Sequence, residues 1–118
     1  MKYFIEIWRK QTIITDPMIK TFSDSEIVTF LSLNLKEWTF ENNTLKRDFR
    51  FTNFVDAFSF MTAIALNAEK MDHHPDWRNV YNTVNIKLNT YDAGGITKLD
   101  FELAHIIDNT YNKYQRTI

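Results

Sequence analysis

The sequence predicts an α+β two-layer sandwich in the order α-β-β-α-β-β-α, with a four-stranded antiparallel sheet carrying its helices on one face. Three observations predict it. Residues 45–51 and 84–88 alternate apolar and polar side chains with the period of a strand covered on one face only. Residues 54–66 are apolar nearly all round and too long a run for a strand. Two helix-opening signatures, Ser23 with Glu26 and Thr97 with Asp100, mark further helices on either side of that segment.

Residues 1–20 read as an N-terminal extension and residues 21–118 as the domain. In the extension, Tyr3, Ile5 and Ile7 alternate with Phe4, Glu6 and Trp8, which allows a short strand; Thr12-Ile13-Ile14-Thr15 is also strand-like, and Asp16-Pro17 signals a turn. The first helix opens at Ser23, carries Ile27, Phe30 and Leu31 at helical spacing, and ends at Leu33 or Asn34. A hairpin follows: Trp38 and Phe40 share one strand face, Glu41-Asn42-Asn43-Thr44 is a polar turn, and Leu45, Arg47, Phe49 and Phe51 form the inward face of the second strand. Arg47 interrupts that face and is expected at its rim.

The middle helix spans 53–70, with Asn53 as cap and Asp56 three residues on. A surface helix needs one apolar stripe of about 100°. This one has more, so one face is expected on the sheet and another against a second subunit. Residues 77–80 form a short strand and residues 79–82 a turn. Val84, Ile86 and Leu88 form the inward face of a strand ending near Thr90, and residues 91–95, with the adjacent Gly94-Gly95, form a loop. The last helix opens at Thr97 and turns Leu99, Leu103, Ile106, Ile107, Tyr111 and Tyr114 inward.

Composition narrows the function. The chain has 118 residues, enough for one domain with a core of its own. Fourteen basic residues face fifteen acidic ones with no basic stripe, which disfavours binding to nucleic acid through phosphates. There is no Cys, which removes disulfides and thiolate chemistry and fits a reducing compartment. No apolar run approaches the roughly 20 residues of a membrane span, and the first residues lack the pattern of a signal peptide. A cytoplasmic protein without a membrane partner is the expectation.

The candidate chemistry lies at the junction between the middle helix and the following strand, where Glu69-Lys70-Met71-Asp72-His73-His74-Pro75 places two imidazoles side by side. Two solvated loop histidines would give the same local sequence. A metal site is disfavoured, because adjacent histidines rarely turn both rings to one ion and no second ligand cluster follows. Nucleophilic catalysis is disfavoured too, with no Cys and no GxSxG. General acid/base chemistry needs only titratable groups beside a pocket. Glu69, Asp72 and Asp100 are the carboxylates able to tune the rings; as helix-end residues and a helix cap they also have structural explanations.

Glu69-x3-His73-His74-Pro75, then Tyr81, Tyr91 and Asp100 at fixed spacing, closely resembles the motif of the pterin-4a-carbinolamine dehydratases. Trp38, Phe49-Arg50-Phe51-Thr52-Asn53-Phe54, much of the middle helix, and Asn79-Val80-Tyr81-Asn82 also look like that family, over about residues 22–115. The resemblance implies the α-β-β-α-β-β-α fold and a lyase that removes water from 4a-hydroxytetrahydropterin (4a-hydroxytetrahydrobiopterin) to give the quinonoid dihydropterin, in tetrahydrobiopterin recycling, with no metal or organic cofactor. It implies a homodimer or homotetramer formed through the middle helix and the sheet edges. By matched position His73 is the general acid for loss of the hydroxyl, and His74 holds the pterin and assists. Tyr91 stands where the family has His, sometimes Trp. Asp72, Pro75 and residues Asn89, Thr90 and Asp92 line the pocket, while Glu69 and Asp100 support the histidines. A phenol is a poorer acid and base at pH 7 than an imidazole, so Tyr91 implies slower or stereoselective turnover, or stacking on the pterin. The same family fold also serves as a protein-binding module, a dimerisation partner of transcription factors, and a weakly catalytic or non-catalytic chain of that kind is the alternative.

Overall fold

In the computed structural model, which describes residues 19–115, the elements follow in the predicted order. They are α1 (Asp24–Asn34), β1 (Thr39–Glu41), β2 (Thr44–Arg50), α2 (Phe54–Met71), β3 (Asp76–Val80), β4 (Thr83–Leu88) and α3 (Lys98–Gln115), with one 3-10 turn, Tyr91–Ala93, ahead of α3. The strand and turn readings at residues 3–8, 12–15 and 16–17 lie outside the described residues.

Local chemistry explains most boundaries. Ser23 caps α1 reciprocally: its N–H donates to Glu26 Oε1 at 2.9 Å and its hydroxyl accepts from the Glu26 N–H at 3.2 Å. The Ser23 N–H bond is also the main reason that the Glu26 carboxyl lies below its ordinary pKa. The expected polar turn after β1 tightens to two residues, because Asn42 and Asn43 both take positive φ (54° and 60°) and so supply the left-handed pair that a two-residue hairpin requires. Glu41 and Thr44 then pair across the hairpin as strand residues. Asn53 caps α2, accepting from the Asp56 N–H at 2.8 Å.

The sheet is antiparallel in the order β1-β2-β4-β3. The central pair sets Leu45 opposite Leu88, Arg47 opposite Ile86 and Phe49 opposite Val84. The five apolar members of these pairs are buried, whereas Asp48, Arg50 and Lys87 on the other face are exposed. The one buried face meets α2 through Ala57, Phe60 and Ile64 and α3 through Leu103, Ala104 and Ile107 in a single core. Each large side chain buried there contributes on the order of 1.5–3 kcal/mol.

Arg47 is accommodated on the apolar face rather than displaced from it. It donates to Asp108 Oδ1 at 2.6 Å and lies 4.6 Å over the Phe49 ring and 5.2 Å over the Tyr111 ring. Trp38 Nε1 donates to the same carboxylate oxygen at 2.8 Å. The inward stripe of α3 is wider than its periodicity suggested. Phe101 is buried, stacked on Phe30 at 4.1 Å and 5.2 Å from Phe22, because α1 packs along a second flank of α3; Leu99 and Ile106 are only half-buried.

α2 has the two apolar faces expected of it. One is buried, and the other leaves Val55, Phe58 and Leu66 exposed by 70%, 54% and 66%. Among the described residues no helix is long and apolar enough to cross a membrane.

Candidate active site

The chain reverses at the end of α2, and the reversal separates the two histidines. Asp72 takes the left-handed conformation (φ 53°, ψ 44°) and its N–H closes on the Ala68 and Glu69 carbonyls. The His73 N–H then donates to the Ala68 carbonyl at 3.1 Å. His73 is left 7% exposed, while the His74 side chain is 56% exposed.

His73 Nε2 lies 2.7 Å from Asp100 Oδ1, and Asp100 is fully buried in the first turn of α3. The other carboxylate oxygen accepts from Thr90 Oγ1 at 2.7 Å and from the Thr97 N–H at 2.9 Å. The two threonine hydroxyls are 2.8 Å apart. A buried carboxylate is costly unless its oxygens are satisfied; three donors and the positive end of α3 satisfy this one. With Asp100 ionised, the network assigns the proton of the neutral imidazole to Nε2. Nδ1 then carries the lone pair and has no hydrogen-bond partner among the described residues.

The box expected at Thr97 and Asp100 therefore forms by halves. Asp100 reaches back to the Thr97 N–H, but the Thr97 hydroxyl takes the Leu99 N–H at 3.2 Å. Thr97 belongs to the buried cluster although its sequence position suggested only a cap. The same hydroxyl-to-carboxylate spacing was the available signal.

His74 has its own carboxylate. Its Nε2 lies 2.9 Å from Glu69 Oε1, an exposed pair one helical turn away. Such a pair contributes little to stability. The neighbouring imidazoles thus face two environments, one buried and one wet.

The loop after β4 forms the next wall. Thr90 and Gly95 bridge across it, with the Thr90 N–H donating to the Gly95 carbonyl at 3.0 Å. Gly94 occupies the left-handed region at φ 80°, and a Cβ on Gly95 would meet Thr21 Cγ2 at 3.3 Å. Tyr91, next to Thr90, is 72% exposed, and Asp92 is exposed beside it. Asn89 is buried, but its amide points to the hairpin, donating to the Asn43 carbonyl at 2.5 Å. Asp72 is exposed at the reversal and Pro75 half-buried just before β3.

Of the residues the sequence singled out, His73, Thr90 and Asp100 converge in one hydrogen-bonded cluster, with Tyr91 next to it in the chain. His74 and Glu69 form a separate pair at its edge. Among the described residues no three His, Asp or Glu side chains gather as metal ligands would. An open groove of about 390 Å³ between α1 and α3, lined by Phe22, Phe30, Leu33 and Phe101, contains none of the predicted site residues.

Comparison with known proteins follows the same residues. The family model for pterin 4 alpha carbinolamine dehydratase matches residues 20–110. A relative from Prochlorococcus marinus (strain NATL2A) is 45% identical over 95 residues, spanning 80% of this chain and 99% of its own. One from Mesorhizobium japonicum is 53% identical over 81 residues, 67% of this chain and 83% of its own. Both carry the name pterin-4-alpha-carbinolamine dehydratase provisionally. A crystal structure from Brucella melitensis, described as a transcriptional coactivator/pterin dehydratase, is 36% identical with a TM-score of 0.75, covering 78% of this chain and 99% of that one.

Proposed function

The chain belongs to the pterin-4a-carbinolamine dehydratase family, and from that premise we propose that it is a cytoplasmic hydro-lyase converting 4a-hydroxytetrahydropterin to the quinonoid dihydropterin in tetrahydrobiopterin recycling. The observation that carries the proposal is the 2.7 Å bond between His73 and the buried, fully satisfied Asp100. It holds one imidazole in one orientation at the position the family motif assigns to the general acid.

The reaction breaks the bond from the ring carbon to the hydroxyl oxygen and removes a proton from a ring nitrogen. His73, held at Nε2 by Asp100, first takes a second proton from solvent at Nδ1; as the imidazolium it delivers that proton to the departing hydroxyl, which leaves as water, and returns to the neutral ring. His74, paired with Glu69 at the wet edge, accepts the ring-nitrogen proton, and exchange with solvent resets both rings. The proton balance is zero. Each acid/base step contributes roughly 10²–10⁴-fold. Thr90 and Asn89 act by shaping this wall, since their side chains are committed to Asp100 and Asn43, while Tyr91, Asp72, Pro75 and Asp92 border the substrate.

The assay is the rate of quinonoid product formation from enzymatically generated 4a-hydroxytetrahydropterin. Acceleration over buffer is expected, and its absence at enzyme levels comparable to substrate would overturn the proposal. One observation favours a second reading, a binding module with relaxed catalysis: Tyr91 replaces the family's imidazole. Tyr91→His separates the two. A large gain in rate supports relaxation; no change or a loss supports a tuned enzyme.

The uncovered face of α2 adds a partner. Val55, Phe58 and Leu66 recur along one helix face with no cover among the described residues, and a second copy of the chain is proposed to bury them, with the edge strands β1 and β3 as the other contact. Sedimentation at micromolar concentration is expected to give a multiple of 14.1 kDa. Leu66→Glu is expected to shift the chain toward monomer; a wild-type monomer contradicts the partner.

A further inference from the structure

The loop carrying Tyr91 is held at both ends, and the outer holder is far away in sequence. At the inner end, Thr90 is bound through its hydroxyl to Asp100. At the outer end, the Asn43 amide donates to the Gly94 carbonyl at 3.2 Å, across 51 positions. Asn43 acts a second time, its carbonyl accepting from Asn89 just before the loop. Both bonds are made with Asn43 in the left-handed backbone, at φ 60°.

We propose that Asn43, at the tip of the β1–β2 hairpin, is a positioning residue of the site: it clamps residues 89–94 so that Tyr91 stands at a fixed place beside the His73–Asp100 pair. The role rests on the dehydratase proposal above. Residues 91–93 form a single 3-10 turn, closed on itself by the Ala93 and Gly94 N–H groups on the Thr90 carbonyl; the Asn43 bonds tie this closed loop to the hairpin. Tyr91 is exposed and projects from that turn, so its placement is set by the backbone beneath it. A misplacement of about 1 Å in a reacting group can cost as much as ~10²-fold in rate.

Asn43→Gly isolates the clamp. Glycine keeps the left-handed backbone and the carbonyl that accepts from Asn89, but lacks the amide that reaches Gly94. Asn43→Asp keeps the shape and places an acceptor where a donor is needed. Both variants are expected to lose about 10-fold in kcat/KM, with faster amide exchange at Gly94 and Gly95 and a midpoint of thermal unfolding near that of wild type. In a Tyr91→Phe background Asn43→Gly should still slow the reaction, because the ring remains to be placed. In a Tyr91→Ala background it should change the rate no further. An Asn43→Gly enzyme with wild-type kcat/KM, or one whose loss is undiminished in the Tyr91→Ala background, overturns the role. An inactive wild-type protein overturns the dehydratase proposal instead, and the role with it; the two failures are told apart by whether the wild type turns over.

Discussion

Replacing His73 by Ala is expected to lower kcat by roughly 10²–10⁴-fold, the usual contribution of a positioned acid/base group. The ring is 7% exposed and bonded to Asp100, so Ala also leaves one oxygen of that carboxylate without its partner and lowers stability. His73→Gln keeps a side-chain N–H able to donate to Asp100 but does not titrate. It should retain more of the stability than Ala and none of the lost rate. The two variants are compared by steady-state kinetics and by thermal unfolding on the same samples. If both turn over at the wild-type rate, His73 is not the acid and the wet pair, His74 with Glu69, becomes the candidate.

Asp100→Ala is expected to destabilise the fold by about 3–5 kcal/mol, because it leaves three buried donors unsatisfied at roughly 1–3 kcal/mol each. The carboxylate joins α2 through His73, the loop after β4 through Thr90 and the start of α3 through Thr97. Its loss leaves buried donors on three segments. Asp100→Asn is expected to cost less, about 1–3 kcal/mol, since one oxygen still accepts from Thr90 and Thr97. Its amide N–H₂ would face the His73 Nε2–H, forcing the ring to exchange tautomer, so the rate should fall more than the stability does. Urea unfolding of the three proteins measures the ordering; an Asp100→Ala variant within about 1 kcal/mol of wild type would show that the three buried donors do not depend on this carboxylate.

Much of the architecture was legible because it rests on short-range rules. Ser23 and Asn53 mark helix starts with side chains that bond amides three residues on. The alternation from Leu45 to Phe51 and from Val84 to Leu88 states which sheet face is buried. The double-faced character of α2 is visible in its composition. Arg47 shows the limit. A cation on an apolar face suggests a rim, and Arg47 is indeed only part-buried; that Asp108, 61 positions away, and the rings of Phe49 and Tyr111 hold it there is not encoded locally. Phe101 shows it again: its burial depends on α1 packing beside α3, which the periodicity of one helix does not encode.

The site divides in the same way. The sequence by itself determined the element order, the residue types at the junction and, through the spacing from Glu69 to Asp100, the family to which the chain belongs. The tertiary structure alone decided which histidine is buried, which carboxylate each imidazole meets, and that Thr97 and Asn43 belong to the wall. The reason is physical. Helix caps and strand alternation are set by neighbours a few residues apart, whereas a buried carboxylate must collect its donors wherever the fold brings them. Asp100 takes one from 27 positions earlier and another from ten. His73 and His74 are adjacent in the chain and equivalent in kind; the left-handed turn at Asp72 and the buried Asp100 at the start of α3 give them different surroundings.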